Sequence, residues 1–129
     1  MNKRVMPTTI APLASNYSHG IEVPPDARWL YVSGQVGVGP DGVMAEGIEA
    51  QADQAWKNLI AVLEEAGMSA ADLVRVNAYI TNSEHVGALR QVRLRYLDGH
   101  EPASTLAVVA ALASPEWLFE IEAVAARAG

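Results

Sequence analysis

Apolar and polar positions alternate with two distinct periods along the chain. Between about Gly47 and Ala66, residues Ile48, Ala52, Ala55, Leu59, Val62 and Ala66 recur at intervals of three and four, the spacing of one helical face. Gly67 follows where a helix takes a left-handed C-terminal residue. A second such stripe, Val86, Leu89, Val92 and Tyr96, predicts a helix that Ser83 can cap, with Glu84 in its first turn. Asp98-Gly99 ends it.

Five other segments have strand character. Trp29 to Ser33 is rich in aromatic and β-branched residues, and Ile21 to Val23 is its expected hairpin partner across Pro24-Pro25-Asp26. Ser69 to Asp72 reads as a short turn, followed by Leu73 to Ile80 with one apolar and one mixed face. Thr105 to Ala113 is a continuous apolar run, so a strand covered on both faces is expected there. Leu118 to Ala126 is the last strand. Strands, helix, strand, helix and two strands make an α+β fold, a mixed sheet with two helices on one face. The other face needs a cover, and a second copy of the chain is the simplest one.

Composition narrows this picture. A length of 129 residues suits a single domain spanning 1–129, and half of the residues are hydrophobic. No apolar run approaches the ~20 residues of a membrane helix. The basic start Met1-Asn2-Lys3-Arg4 lacks an apolar sequel, so no secretory signal is expected. The lack of cysteine excludes disulfides, thiolate nucleophiles and Cys-based zinc sites, and is compatible with a cytoplasmic protein. A net charge of −6 disfavours nucleic acid as a partner. The one basic cluster, Arg90, Arg93 and Arg95, fits a small anionic ligand or a solvated helix face, and sequence alone favours the second.

Candidate chemistry centres on Glu120. In the last strand Phe119, Ile121 and Ala123 share one face, and Glu120 and Glu122 share the other. A carboxylate beside apolar surface suits general acid–base work, although spacing alone favours two water-facing glutamates. His19, His85 and His100 have no metal-ligand spacing. Val36-Gly37-Val38-Gly39 leads into a turn rather than a helix and is no phosphate cradle. Ser33-Gly34-Gln35 admits close approach of a ligand to the backbone, or is a bulge. Tyr17 in a polar loop offers a phenol donor or a cap on the core. Ser104 and Thr105 are possible ligand donors or ordinary strand-start residues.

Taken in order, these segments resemble the Rid (YjgF) family of enamine and imine deaminases from about Ala11 to Ala126. The matching features are Ala11-Pro12, Tyr17 and Gly20, Val32-Ser33-Gly34-Gln35, then Gln51, Asn58 and Leu59, and Leu63-Glu64-Glu65-Ala66-Gly67. Asp72-Leu73-Val74-Arg75-Val76, Pro102-Ala103 and Glu120-Ile121-Glu122-Ala123-Val124-Ala125 complete the pattern.

The resemblance implies a chorismate-mutase-like fold and a homotrimer with small-molecule clefts between subunits. It also implies hydrolysis of 2-imino or 2-enamino acids to 2-keto acids and ammonia without metal or cofactor. It places Tyr17, Ser33, Gly34 and Glu120 in the cleft, with Glu120 activating water. The family's active members carry an arginine directly after the Pro-Ala pair to grip the substrate carboxylate, whereas this chain has Ser104. Losing such a contact costs a few kcal/mol, or about two to three powers of ten in affinity. Leu106 stands at the family's cysteine, and the arginine cluster occupies a helix in which the active group has a cleft asparagine. Arg90 or a neighbour is a candidate replacement for the lost guanidinium. Weak or absent turnover of 2-iminopropionate is expected. A non-catalytic binding or regulatory trimer is the alternative, and RNA cleavage is the least supported reading.

Overall fold

The computed structural model describes residues 1–129. Two short strands, β1 (Lys3–Val5) and β2 (Gly20–Glu22), pair antiparallel. Then come β3 (Ala27–Val36), helix α1 (Ile48–Glu65), β4 (Leu73–Ile80), helix α2 (Val86–Leu97), β5 (Ala103–Val108) and β6 (Phe119–Ala128). The main sheet has the order β3-β6-β4-β5. Its β4–β5 pair is parallel and the others are antiparallel.

Helix α1 carries the core. Its buried face includes Ala52, Ala55 and Leu59 as the periodicity predicts, together with Gln51, Trp56 and Leu63, while Ile48, Val62 and Ala66 of the same stripe are half-buried. It packs on β3 and β6. Gly37 at the end of β3 lies so near the helix that a Cβ there would come within 2.6 Å of the Gln51 Cα. Two buried or half-buried amides bind the irregular chain around this contact. The Asn58 Nδ2 donates to the carbonyls of Val36 and Val38, and the Gln51 amide exchanges hydrogen bonds with Glu116 and Leu118. The helix ends in a Schellman motif. Gly67 has φ 72°, its N–H donates to the Glu64 carbonyl, and the Met68 N–H donates to Leu63.

Three local expectations are corrected. Ile21–Val23 is not the partner of β3. Residues 20–22 pair with β1 instead, and the long β3 pairs with β6, whose ten residues match its length. Asn82 rather than Ser83 starts the second helical segment, because its side chain accepts from the Glu84 N–H above a 3₁₀ turn over Ser83–His85. The apolar run from Thr105 is not a strand buried on both faces. β5 ends at Val108 and forms the sheet edge, leaving Leu106 40% and Val108 52% exposed.

The helix-facing side of β6 presents buried Phe119, Ile121, Ala123 and Ala125. The opposite, helix-free side presents Glu120 and Glu122, beside Arg75, Asn77 and Tyr79 of β4. On β3 the stacked Trp29 and Tyr31 are 51% and 75% exposed.

Candidate functional site

Helix α2 leans on α1 more than on the sheet. Tyr96 stacks on Trp56 with ring centroids 5.8 Å apart, and its hydroxyl donates to the Asp53 carboxylate at 2.5 Å. The hydrogen bond from Tyr96 holds Asp53 below its ordinary pKa. Burial, followed by that bond to Asp53, pushes the Tyr96 phenol up to about 12. Arg95 lies on the same side of α2, paired with Glu49 and Asp53. These contacts fasten α2 to α1, and a space remains between α2 and strands β4 and β5.

That space is a cavity of about 410 Å³. Its apolar wall includes Val86, Leu89, Leu106, Phe119 and Ile121. Its polar groups come from Ser15, Tyr17, Arg90, Arg93, Ser104 and Thr105. The loop bearing Ser15 and Tyr17 is tied to the start of β5. The Ser18 N–H donates to the Pro102 carbonyl at 3.0 Å, and the Ser18 hydroxyl donates to the Glu101 carbonyl while accepting from Arg4 Nε. Arg93 reaches across from α2, donating to Ser15 Oγ at 3.0 Å and to Ser104 Oγ at 3.5 Å. Burial, and then the neighbouring charge of Arg90, lower the pKa of its guanidinium.

A second polar group lies on the helix-free face. The register between β3 and β6 slips between Val32 and Gln35, so Ser33 and Gly34 together oppose Glu122 in a β-bulge. The bulge brings the Gly34 Cα against Glu120. A Cβ on Gly34 would fall 1.8 Å from Glu120 Oε2, so only glycine leaves room for this carboxylate. Of the two readings of Ser33-Gly34-Gln35, the bulge is the one seen here, and the group that approaches Gly34 closely is a side chain of the same chain. Nearby, the Tyr79 hydroxyl donates to Glu122, which raises the Tyr79 pKa. Arg75 donates to the Thr105 hydroxyl at 2.9 Å.

The residues singled out from the sequence thus fall into two sets. Tyr17, Ser104 and Arg90 line the cavity on the helix side, and Thr105 borders it. Glu120, Ser33 and Gly34 lie on the other face. Strand alternation separates the sets, since Phe119 and Ile121 point into the cavity and Glu120 points away. Arg93 was only one of a cluster at the level of sequence, and nothing local distinguished it from Arg95. Ser15 carried no signal of its own.

The profile of the Endoribonuclease L-PSP family matches residues 8–127. The mouse 2-iminobutanoate/2-iminopropanoate deaminase is 33% identical over 128 residues, which cover 97% of this chain and 92% of the mouse protein. A Rid-family protein from Yersinia pestis has a crystal structure similar to this one, with a TM-score of 0.86 at 34% identity, covering 96% of this chain and 97% of that one. The TdcF protein of Escherichia coli, crystallised with bound serine, gives a TM-score of 0.72 at 27% identity, covering 95% and 94%.

Proposed function

Because this chain belongs to the Endoribonuclease L-PSP family, which includes the Rid (YjgF) imine deaminases, we propose that it binds a small metabolite in clefts between subunits and hydrolyses an imine or enamine there. The observation that carries this reading is the Glu120 carboxylate seated against Gly34. A bulge and a missing side chain together make room for one acid at one place.

The whole chain acts as one Rid-type unit, a cytoplasmic homotrimer in this reading. Two features support the assembly: the helix-free sheet face with its exposed Trp29 and Tyr31, and the placement of candidate residues on opposite faces. Symmetric packing would set the Glu120 face of one copy over the cavity of its neighbour, uniting the sets. Glu120 then takes a proton from water as the water oxygen bonds to the imine carbon, and the imine nitrogen gains a proton. The hydroxyl of the resulting carbinolamine then gives up its proton and the nitrogen gains one, with Glu120 as the relay, as the C–N bond breaks to release ammonia and leave the carbonyl product. Tyr17, Ser33, Gly34, Ser104, Thr105 and Arg90 orient the substrate in this scheme. No step calls for a metal or cofactor.

Ser104 lacks the forked, charged donors of an arginine, so turnover of 2-iminopropionate should be weak. That residue also favours a second reading, in which the trimer binds a metabolite without turning it over. RNA cleavage has less behind it, given the net charge of −6. The test is a coupled assay on freshly generated 2-imino acids. Replacing Glu120 by Gln should lower any turnover by about 10²-fold or more. Unchanged turnover in that variant would remove Glu120 from the chemistry, and no turnover in the parent on any 2-imino acid would favour the binding trimer.

A further inference from the structure

The geometry points to Arg93 as the anchor for a ligand carboxylate in this chain, delivered from α2 rather than from β5, with the cavity selecting acids that carry a larger apolar body than a three-carbon one. This rests on the reading that the cavity is the ligand site, and it goes further by naming the anchor and the ligand class.

Three observations carry it. The first is charge. The ion pairs of the chain engage Arg4, Lys57, Arg95 and Arg127, and neither Arg90 nor Arg93 has a carboxylate within 4 Å. Arg95 is neutralised on the surface of α1. Arg90 and Arg93, three residues apart on one helical face, bring two unpaired cations to a cavity wall that holds no acid.

The second is an unmet donor. The Arg93 Nε is buried and has no acceptor. Its only partners are the neutral hydroxyls of Ser15 and Ser104, the latter at the outer limit of a hydrogen bond. A buried charged donor without an acceptor is costly, and a carboxylate entering the cavity would supply one to the guanidinium fork. Contact with Ser104 Oγ sets this guanidinium over β5, where a small residue at 104 leaves it space.

The third is the lining. Val86, Leu89, Leu106, Phe119 and Ile121 give the cavity an aliphatic and aromatic wall, more apolar surface than the single methyl group of a three-carbon imino acid can cover. A monocarboxylate with a branched or aromatic tail fits that balance. Its head would lie on Arg93, with Arg90 at the more exposed edge, and its tail on Leu89, Leu106 and Phe119.

Binding of product-like 2-oxo acids tests this apart from catalysis. Isothermal titration of the intact protein would use 4-methyl-2-oxopentanoate, pyruvate and the neutral ketone 4-methyl-2-pentanone. The six-carbon acid should bind about tenfold or more tighter than either of the others. Arg93→Gln should weaken it by about 10- to 100-fold. Ser104→Asp keeps Arg93 but occupies it with an internal carboxylate, and should weaken the same ligand comparably while leaving the melting temperature unchanged or higher. It serves as the second variant should Arg93→Gln fail to fold. Equal affinity of the folded Arg93→Gln protein and the parent would overturn the assignment. So would tight binding in Ser104→Asp, an equal affinity for pyruvate, or no binding of the six-carbon acid by the parent. Failure of the hydrolytic reading looks different: no imine turnover, with binding that still depends on Arg93.

Discussion

At the scale of single residues, the decisive contact is between a glycine and an acid. Gly34 has no side chain because the Glu120 carboxylate occupies the volume a Cβ would need. Gly34→Ala should therefore displace Glu120 and lower turnover about as far as Glu120→Gln, with a change in melting temperature of only a few degrees, since both residues border solvent. A coupled imine assay beside a thermal melt separates the two effects, and full activity in the alanine variant would show that the carboxylate is not held there. The acid was visible in the sequence as a polar residue in an apolar strand. Its partner was visible only as a glycine, equally suited to a bend. What joined them was a one-residue slip of register, which no local pattern announces.

At the scale of elements, α2 is fixed to α1 by the Trp56–Tyr96 stack and the Tyr96–Asp53 hydrogen bond. This lock has a defined pH window. Asp53 has a depressed pKa, so its contribution is present above the ordinary carboxylate value near 3.8 and is lost as pH falls through the lower folded value. Tyr96 is raised, so its contribution is present below 10.0 and is lost as pH rises towards about 12. Tyr96→Phe should cost about 1 kcal/mol and return the Asp53 pKa towards its ordinary value. Carboxylate NMR across acidic pH reads the second effect, and an unmoved Asp53 would rule out the hydrogen bond as its cause. Both helices, β4 and β6 were legible in the sequence, because their periods of 3.6 and 2 record which face is buried. The partner of β3 was not, since proximity in sequence favours a hairpin with β2 whereas strand length selects β6. The open edge of β5 was not legible either, for an apolar run does not say how many neighbours its strand will have.

At the scale of the whole molecule, the helix-free face with Trp29 and Tyr31, and the edge strand with Leu106 and Val108, expose large apolar side chains, and the proposed trimer would cover them. Light scattering should give about 41 kDa, three copies of the 13.8 kDa chain, and a monomer mass across the working concentration range would refute the trimer. The opposite placement of Glu120 and Arg93 has a consequence in genetics. If each cleft takes its acid from one copy and its cation from the next, a cell carrying one allele with Glu120→Gln and another with Arg93→Gln makes two products that are each impaired alone. In mixed trimers some clefts draw both sound residues from different parents, about one in four when the alleles are equally expressed and assort at random. Two recessive lesions would then complement each other inside a single locus, which no pair of lesions within one self-contained pocket can do.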